Sequence, residues 1–294
     1  MKYALFLGCT IPARSRNYEL SARVVAHRLG IEFADIFDFS CCGFPLKSSD
    51  MKQAGLLAAR NLALAEAQGL PICTLCSACT SMLAEEAHQL KQDKALLDEV
   101  NAELEKVGLS YGGHATVKHF ARVLLEDVGL DRIREEVRVD LKGLPVATHY
   151  GCHYLKPSEI YEGVEDPENP SSLEELVNAA GARSVEYAHK KDCCGGAVLV
   201  ADEETALRMA KRKLDHVKEA GAKAMNVVCP FCSVMYDDNQ KSIESQFEVS
   251  YQIPVLYLPQ ILGLAMGFDR KELGLNMNVV KTKDLTEEII GGKE

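Results

Sequence analysis

The sequence predicts an α/β protein built from two tandem, pseudo-symmetric repeats, each a small, mainly parallel, Rossmann-like sheet flanked by helices. Three observations predict it. Short apolar runs alternate with helical patterns along the chain, as in parallel sheets with helical crossovers. Glycines stand where those helices should stop. A five-cysteine constellation also occurs twice. The first copy is Cys9, then Cys41-Cys42-Gly43 after 31 intervening residues, then Cys76 and Cys79 after 33 more. The second is Cys152, then Cys193-Cys194-Gly195 after 40, then Cys229 and Cys232 after 34. The duplication divides the 294 residues into 1–142 and 143–294, each long enough for a sizeable core.

In the first repeat, Tyr3 to Leu7 reads as a strand that ends at Gly8-Cys9. A loop containing Pro12 should follow, with Asn17 capping a helix closed by Gly30. Ile31 to Phe37 is the second strand and delivers Cys41-Cys42. Asp50 caps a long alanine-rich helix ending before Gly69, and Leu70 to Leu75 is the third strand, delivering Cys76-x2-Cys79 into a helix start. Residues 85–140 are charged and helical in character, with Gly112-Gly113 as a break before a helix over 114–128. His88, His114 and His119 read there as surface or capping residues, not ligands.

The second repeat follows the same order. Pro145 to Tyr150 is a strand ending at Gly151-Cys152-His153, and Ser171 or Ser172 opens a helix stopped by Gly181. Arg183 to Ala188 is the next strand, leading to Cys193-Cys194, and Asp202-x2-Thr205 starts a helix stopped by Gly221. Met225 to Val228 delivers Cys229-Pro230-x-Cys232, with proline in a first helical turn. Ile253 to Leu258 is a last strand before a helix over 259–267, and the tail from Lys271 is expected to be loosely ordered or to dock on a partner. In both repeats the cysteines fall at the carboxyl ends of strands, the edge where open α/β sheets build their sites. Each set should therefore converge on one pocket.

Composition narrows the function. A net charge of −10 lacks the clustered basic surface that nucleic acid requires. No apolar run approaches the roughly 20 residues of a membrane span. The start Met1 to Leu7 runs straight into Gly8-Cys9 and reads as a strand, not as an export signal. The expected compartment is the cytoplasm, where structural disulfides are rare and eleven cysteines are better read as metal ligands or redox groups.

Five thiols per repeat exceed the four that a structural zinc takes. Adjacent cysteines diverge, which suits two different metal atoms, as in an iron–sulfur cluster. One cysteine per set could instead be a small buried hydrophobe, but the recurrence of all five argues against it. A disulfide within either adjacent pair would be strained and reducible. Cys73 opens a ferredoxin-type run with Cys76 and Cys79, which fails at Leu83. It has no counterpart in the second copy, where Asn226 stands, and reads as a core cysteine. There is no dinucleotide fingerprint, P-loop or complete ferredoxin run, so the chain lacks an obvious way to take electrons from a soluble donor by itself. A partner with cubane clusters, with a flavoprotein beyond it, is the natural supply.

The two cysteine sets, together with His149-Tyr-Gly-Cys152-His153-Tyr-Leu-Lys156-Pro157 and the stretch from Pro254 to Gly267, resemble the B subunit of heterodisulfide reductase, a family named for its cysteine-rich CCG domains. The likeness covers nearly the whole chain. It implies two facing non-cubane [4Fe-4S] clusters, one held by Cys9, Cys41, Cys42, Cys76 and Cys79, the other by Cys152, Cys193, Cys194, Cys229 and Cys232. It implies reduction of a small-molecule disulfide between them to two thiols, with electrons from a ferredoxin-like [4Fe-4S] subunit (C-type) and a flavin-containing subunit (A-type). Beside Cys152, His153 becomes the candidate proton donor, or a histidine that tunes potential through hydrogen bonds. Lys156 would attract an anionic substrate or be an ordinary surface lysine, the latter preferred. The segments Gly43 to Lys47 and Gly195 to Ala197 depart from the methanogen pattern where they would line the substrate space, so the disulfide itself is left unnamed. Two other readings remain: an electron-relaying or sulfur-carrying subunit with the same clusters, and a structural zinc module.

Overall fold

The computed structural model describes residues 1–161, 163 and 165–290. Both halves lay down four parallel strands in one order. Strands β1 (Lys2–Phe6), β2 (Glu32–Asp35), β3 (Ile72–Thr74) and β4 (Val117–His119) form a sheet ordered β2-β1-β3-β4. Strands β5 (Pro145–His149), β6 (Arg183–Val185), β7 (Ala224–Val227) and β8 (Val255–Tyr257) form a second, ordered β6-β5-β7-β8. Leu5 lies opposite Cys73 and Phe6 opposite Thr74; in the second sheet Thr148 lies opposite Asn226 and His149 opposite Val227. The central strands β3 and β7 are fully buried, as apolar strands covered by helices on both faces must be. A single hydrophobic core runs through both sheets.

The helices in order are α1 (Thr10–Arg14), α2 (Arg16–Arg28), α3 (Met51–Glu66), α4 (Ser77–Gln92), α5 (Lys94–Leu104), α6 (Phe120–Arg122), α7 (Leu130–Glu135), α8 (Cys152–Leu155), α9 (Ser172–Ala179), α10 (Glu203–Glu219), α11 (Pro230–Ser233), α12 (Gln240–Phe247), α13 (Leu258–Ala265) and α14 (Lys283–Ile290). The expected caps form: the Asp50 carboxylate accepts the Gln53 amide and that of Asp202 accepts the Thr205 amide, each at 3.0 Å. Just before α3 and α10, Gly43 and Gly195 turn the chain at φ 92° and 86°. A Cβ at Gly43 would lie 2.3 Å from the Ala54 carbonyl oxygen, and one at Gly195 2.9 Å from that of Ala206. Both turns therefore require glycine, for the same reason in both halves.

The structure corrects the sequence reading in three places and decides a fourth. The helix expected over 114–128 is preceded by the short strand β4, which completes the first sheet, and helix begins only at Phe120. The loop around Pro12 is the short helix α1, and Ser15, not Asn17, precedes α2. Of the two roles expected of His119 the structure takes the capping one, in a buried place: its Nδ1 accepts the Ala121 amide at 3.1 Å at the start of α6. The tail is ordered against the chain's own core, burying Leu273, Leu275, Leu285 and Ile289, with α14 at its end. The Asp237 carboxylate holds this tail by accepting the Val279 and Val280 amides, both at 2.8 Å.

The halves meet through aromatic and polar pairs beside the strand ends. Tyr18 of α2 stacks on Tyr257 of β8, with ring centroids 4.0 Å apart and planes within 13°. The Tyr18 hydroxyl donates to the Val228 carbonyl at 3.3 Å, and His119 Nε2 donates to the same oxygen at 2.9 Å. Burial drives the His119 pKa down to about 4, so the ring is neutral and its one proton sits on Nε2.

Candidate metal centre

The seam between the halves collects ten of the eleven cysteines. All eleven are free thiols. Exposure is graded alike in both sets: Cys9 and Cys152 exposed, Cys41 and Cys193 half-buried, and Cys42, Cys76, Cys79, Cys194, Cys229 and Cys232 buried. Topology causes the match. The end of β1 or β5 carries the first thiol, the glycine turn before α3 or α10 carries the adjacent pair, and the residue before α4 or α11 carries the next. Cys76 and Cys229 are the N-cap residues of those helices. Cys79 and Cys232 lie within the first turn, where the helix dipole favours thiolate.

Gly8 and Gly151, at φ 65° and 73°, leave room for these sulfurs. A Cβ at Gly8 would stand 2.9 Å from Cys79 Sγ, and one at Gly151 3.4 Å from Cys232 Sγ. Behind the adjacent pair of the second set, the Gly195 and Gly196 amides point at Cys193 and Cys194 Sγ at 3.4 and 3.3 Å. Such donors stabilise thiolate charge.

Neighbouring thiols perturb one another in an unbroken series from Cys41 through Cys42, Cys79, Cys76, Cys229, Cys232, Cys194 and Cys193 to Cys152. The two sets are therefore in contact with one another. The sets touch where Cys76 meets Cys229. Three sulfurs in the series are favoured as thiolates because the thiols on both sides of them act as hydrogen-bond donors to them. Cys41 and Cys79 bring Cys42 down to about 4, Cys152 and Cys194 depress Cys193, and Cys232 and Cys76 depress Cys229 despite its burial. The outer thiols Cys41 and Cys152 move up, first through the thiolates they face and then through burial. Cys9 stands at the margin, its Sγ 3.8 Å from Thr10 Oγ1.

Two cavities flank the seam. One is lined by Cys152, Cys193, Cys194, Cys229 and Cys232, the other by Cys9, Cys42, Cys76 and Cys79. Phe44, Ala78 and Phe231 wall both. Phe44 belongs to the departure after Cys42 and Phe231 to the second Cys-x2-Cys, so each half contributes an aromatic wall to the other's site. His153 stands at the mouth, its ring edge-on to Phe44 at 4.7 Å and its Nδ1 3.3 Å from Ser81 Oγ. Burial lowers its pKa. Lys47 and Lys156 line the opening outside it. Both are engaged by carboxylates, Lys47 with Glu85 at 2.5 Å and Lys156 with Glu168 at 3.7 Å, and Lys156 is largely exposed, as an ordinary surface lysine is. Cys73 is wholly buried on β3, away from the series, and burial raises its pKa.

Sequence reasoning missed His149. This residue ends β5 and is fully buried, and neither ring nitrogen has a hydrogen-bond partner. One of its nitrogens and the sulfurs of Cys194 and Cys232 lie within 4.8 Å of one another. The ring edge meets Tyr236 at 5.1 Å, and the Tyr236 hydroxyl is also unpartnered. Burial lowers the His149 pKa to about 3, keeping the imidazole neutral. Its signal in the sequence was a polar residue at a position where the first repeat has Phe6.

Comparison with known proteins gives a consistent result. A family model described as a cysteine-rich domain, CCG, matches residues 3–84 and 146–237. The chain is 37% identical over 278 residues to a protein of Archaeoglobus profundus described as like the B subunit of heterodisulfide reductase, covering 93% of each chain. It is 34% identical to the 8-methylmenaquinol:fumarate reductase membrane anchor subunit of Wolinella succinogenes, covering 97% of this chain and 99% of that one. Among solved structures, a hypothetical protein from Helicobacter pylori superposes with a TM-score of 0.78 at 17% identity, over 95% of this chain and 52% of that one, a likeness of fold. Among the described residues no helix is long and apolar enough to cross a membrane.

Proposed function

The chain belongs to the cysteine-rich CCG family that includes heterodisulfide reductase B subunits, and on that premise we propose that it is the disulfide-reducing subunit of an oxidoreductase complex, holding two facing non-cubane [4Fe-4S] clusters. Its relatives are subunits of such complexes, and the chain is an iron–sulfur redox subunit of that kind. Cys9, Cys41, Cys42, Cys76 and Cys79 would hold one cluster, and Cys152, Cys193, Cys194, Cys229 and Cys232 the other. The single observation that carries the reading is the pair of free-thiol sets meeting at Cys76 and Cys229. The donor set fits the group. Thiolates are what iron–sulfur clusters take, the glycines at 8 and 151 leave space at the sulfurs, and unpartnered polar atoms remain at the second set.

When bound, such clusters supply the electrons for breaking a sulfur–sulfur bond. The remaining roles fall to side chains. Phe44 and Phe231 exclude water from the space between the sets and place a disulfide against both. His153 stands at the mouth, where its imidazolium, protonated from solvent, would pass a proton from Nε2 to one leaving thiolate while Nδ1 stays oriented by Ser81. Solvent would protonate the other thiolate. A ferredoxin-like subunit and a flavin-containing subunit would supply electrons. A second reading, an electron-relaying subunit without disulfide chemistry, is favoured by the fumarate-reductase name of the Wolinella relative.

The test is anaerobic reconstitution, iron and sulfide analysis, and turnover of small disulfides with a reduced dye. Turnover lost in Cys194→Ser and Cys232→Ser is expected. Iron-loaded protein that turns over no disulfide would favour the relay, and colourless zinc protein would overturn both.

A further inference from the structure

Matching the two halves position by position reveals where their sites differ. Phe6 and His149 occupy the same strand register, each two residues before the glycine of a Gly-Cys end. Asn61 and Lys213 occupy the same position on α3 and α10, eleven residues after the aspartate caps. Asn61 is neutral, donating to the Cys41 and Leu57 carbonyls and accepting the Ser40 amide. Lys213 is buried, donates to the His189 carbonyl, and faces Cys193, Cys194 and Cys232 along with Asp192. The first set thus has a phenyl ring and an amide where the second has an unpartnered imidazole and a cation.

We infer that His149 and Lys213 make the second-half site the more readily reduced of the two. This rests on the reading of both sets as iron–sulfur sites. Adding an electron to a thiolate-bound cluster adds negative charge, so donors to the sulfurs and nearby positive charge raise its reduction potential. An imidazole N–H beside Cys194 and Cys232 is such a donor, since a ring nitrogen and the two sulfurs lie within 4.8 Å of one another. Lys213 lines a cavity with Cys193 and Asp192 and brings an ammonium, its pKa lowered to about 8 by burial, close to the second set. Phe6 offers neither. The asymmetry gives an incoming electron a preferred resting place in the second half.

The test uses the full chain, anaerobically loaded with iron and sulfide, titrated with dithionite and mediator dyes and followed by low-temperature electron paramagnetic resonance. Signals are assigned to halves with Cys79→Ser and Cys232→Ser. Two midpoint potentials are expected, the higher in the second half. His149→Phe should lower that potential and leave the other unmoved, while His149→Gln, which keeps an N–H, should move it less. Lys213→Asn should lower it by an additional step in either background. If the phenyl variant does not load iron, His149→Leu against His149→Gln reads the same difference. Equal potentials, or a second-half potential unmoved in the imidazole and lysine variants, would overturn the inference. An unsubstituted chain that binds no iron would instead overturn the proposed function.

Discussion

At matching positions around the two cysteine sets, the first half places apolar or neutral side chains where the second places titratable or hydrogen-bonding ones. Phe6, Cys73, Leu83, Asn61 and Ala84 in the first half stand where His149, Asn226, Tyr236, Lys213 and Asp237 stand in the second. The backbone barely distinguishes them: strand order, aspartate caps and glycine turns repeat. The duplicated fold therefore carries the geometry of sulfur presentation, and the residues between the cysteines are free to make two like sites behave differently.

The largest expected effect probes the point where the sets touch. Cys232→Ser should cost about half of the bound iron, since it removes a ligand from one of the two cysteine sets. Cys229→Ser should cost more than that, because its sulfur neighbours Cys76 of the other set. Iron analysis of the two variants checks this, and equal losses would mean that the sites are independent.

Glycine turns sharpen the comparison from the side where the halves agree. Gly43→Ala and Gly195→Ala should each destabilise the metal-free chain by about 1–3 kcal/mol through positive φ alone. Gly43→Ala should cost more, because its Cβ overlaps backbone at 2.3 Å against 2.9 Å. Urea unfolding measures both, and the reverse order would break the argument.

Asp237, whose counterpart is Ala84, gives the second half a pH dependence at a position where the first half has no titratable group. Burial raises its carboxyl to about 6, against an unfolded value near 4. The folded chain therefore holds this proton more tightly than the unfolded chain. The resulting stabilisation is complete below about pH 4 and is lost as pH rises through about 6, a change of roughly 3 kcal/mol. Asp237→Asn should flatten that slope in urea midpoints taken between pH 5 and 7. A variant with the slope of the parent would remove Asp237 from the account.

The smallest effect concerns the packing between halves. Tyr18→Phe keeps the stack on Tyr257 but loses the hydrogen bond to Val228. It should cost about 1 kcal/mol in metal-free stability. A cost several times larger would mean that the hydroxyl serves more than this one bond.

Much of this was legible in the sequence, because the signals are local. Asp50 and Asp202 announce helix starts through bonds three residues away, and Cys-x2-Cys falls at a helix start whatever it packs on. The placement of the cysteines at strand ends followed from the alternation of elements. The missed features depend on distant packing. β4 is three residues long and carries Lys118 in its middle, so no alternation identifies it; it exists because β3 offers an edge. The tail looked loose until Asp237 met its amides. His149 sits in an apolar strand, and only the assembled site shows both nitrogens unpartnered beside thiols. That Cys76 would meet Cys229 depends on how two sheets pack, which neither repeat encodes alone.

The most direct measurement is the anomalous signal at the iron edge from anaerobically grown crystals of the loaded chain. Two groups of iron are expected, one against each cysteine set, on either side of the Cys76–Cys229 contact. A single zinc between His149, Cys194 and Cys232, or sulfurs paired as disulfides, would contradict the account.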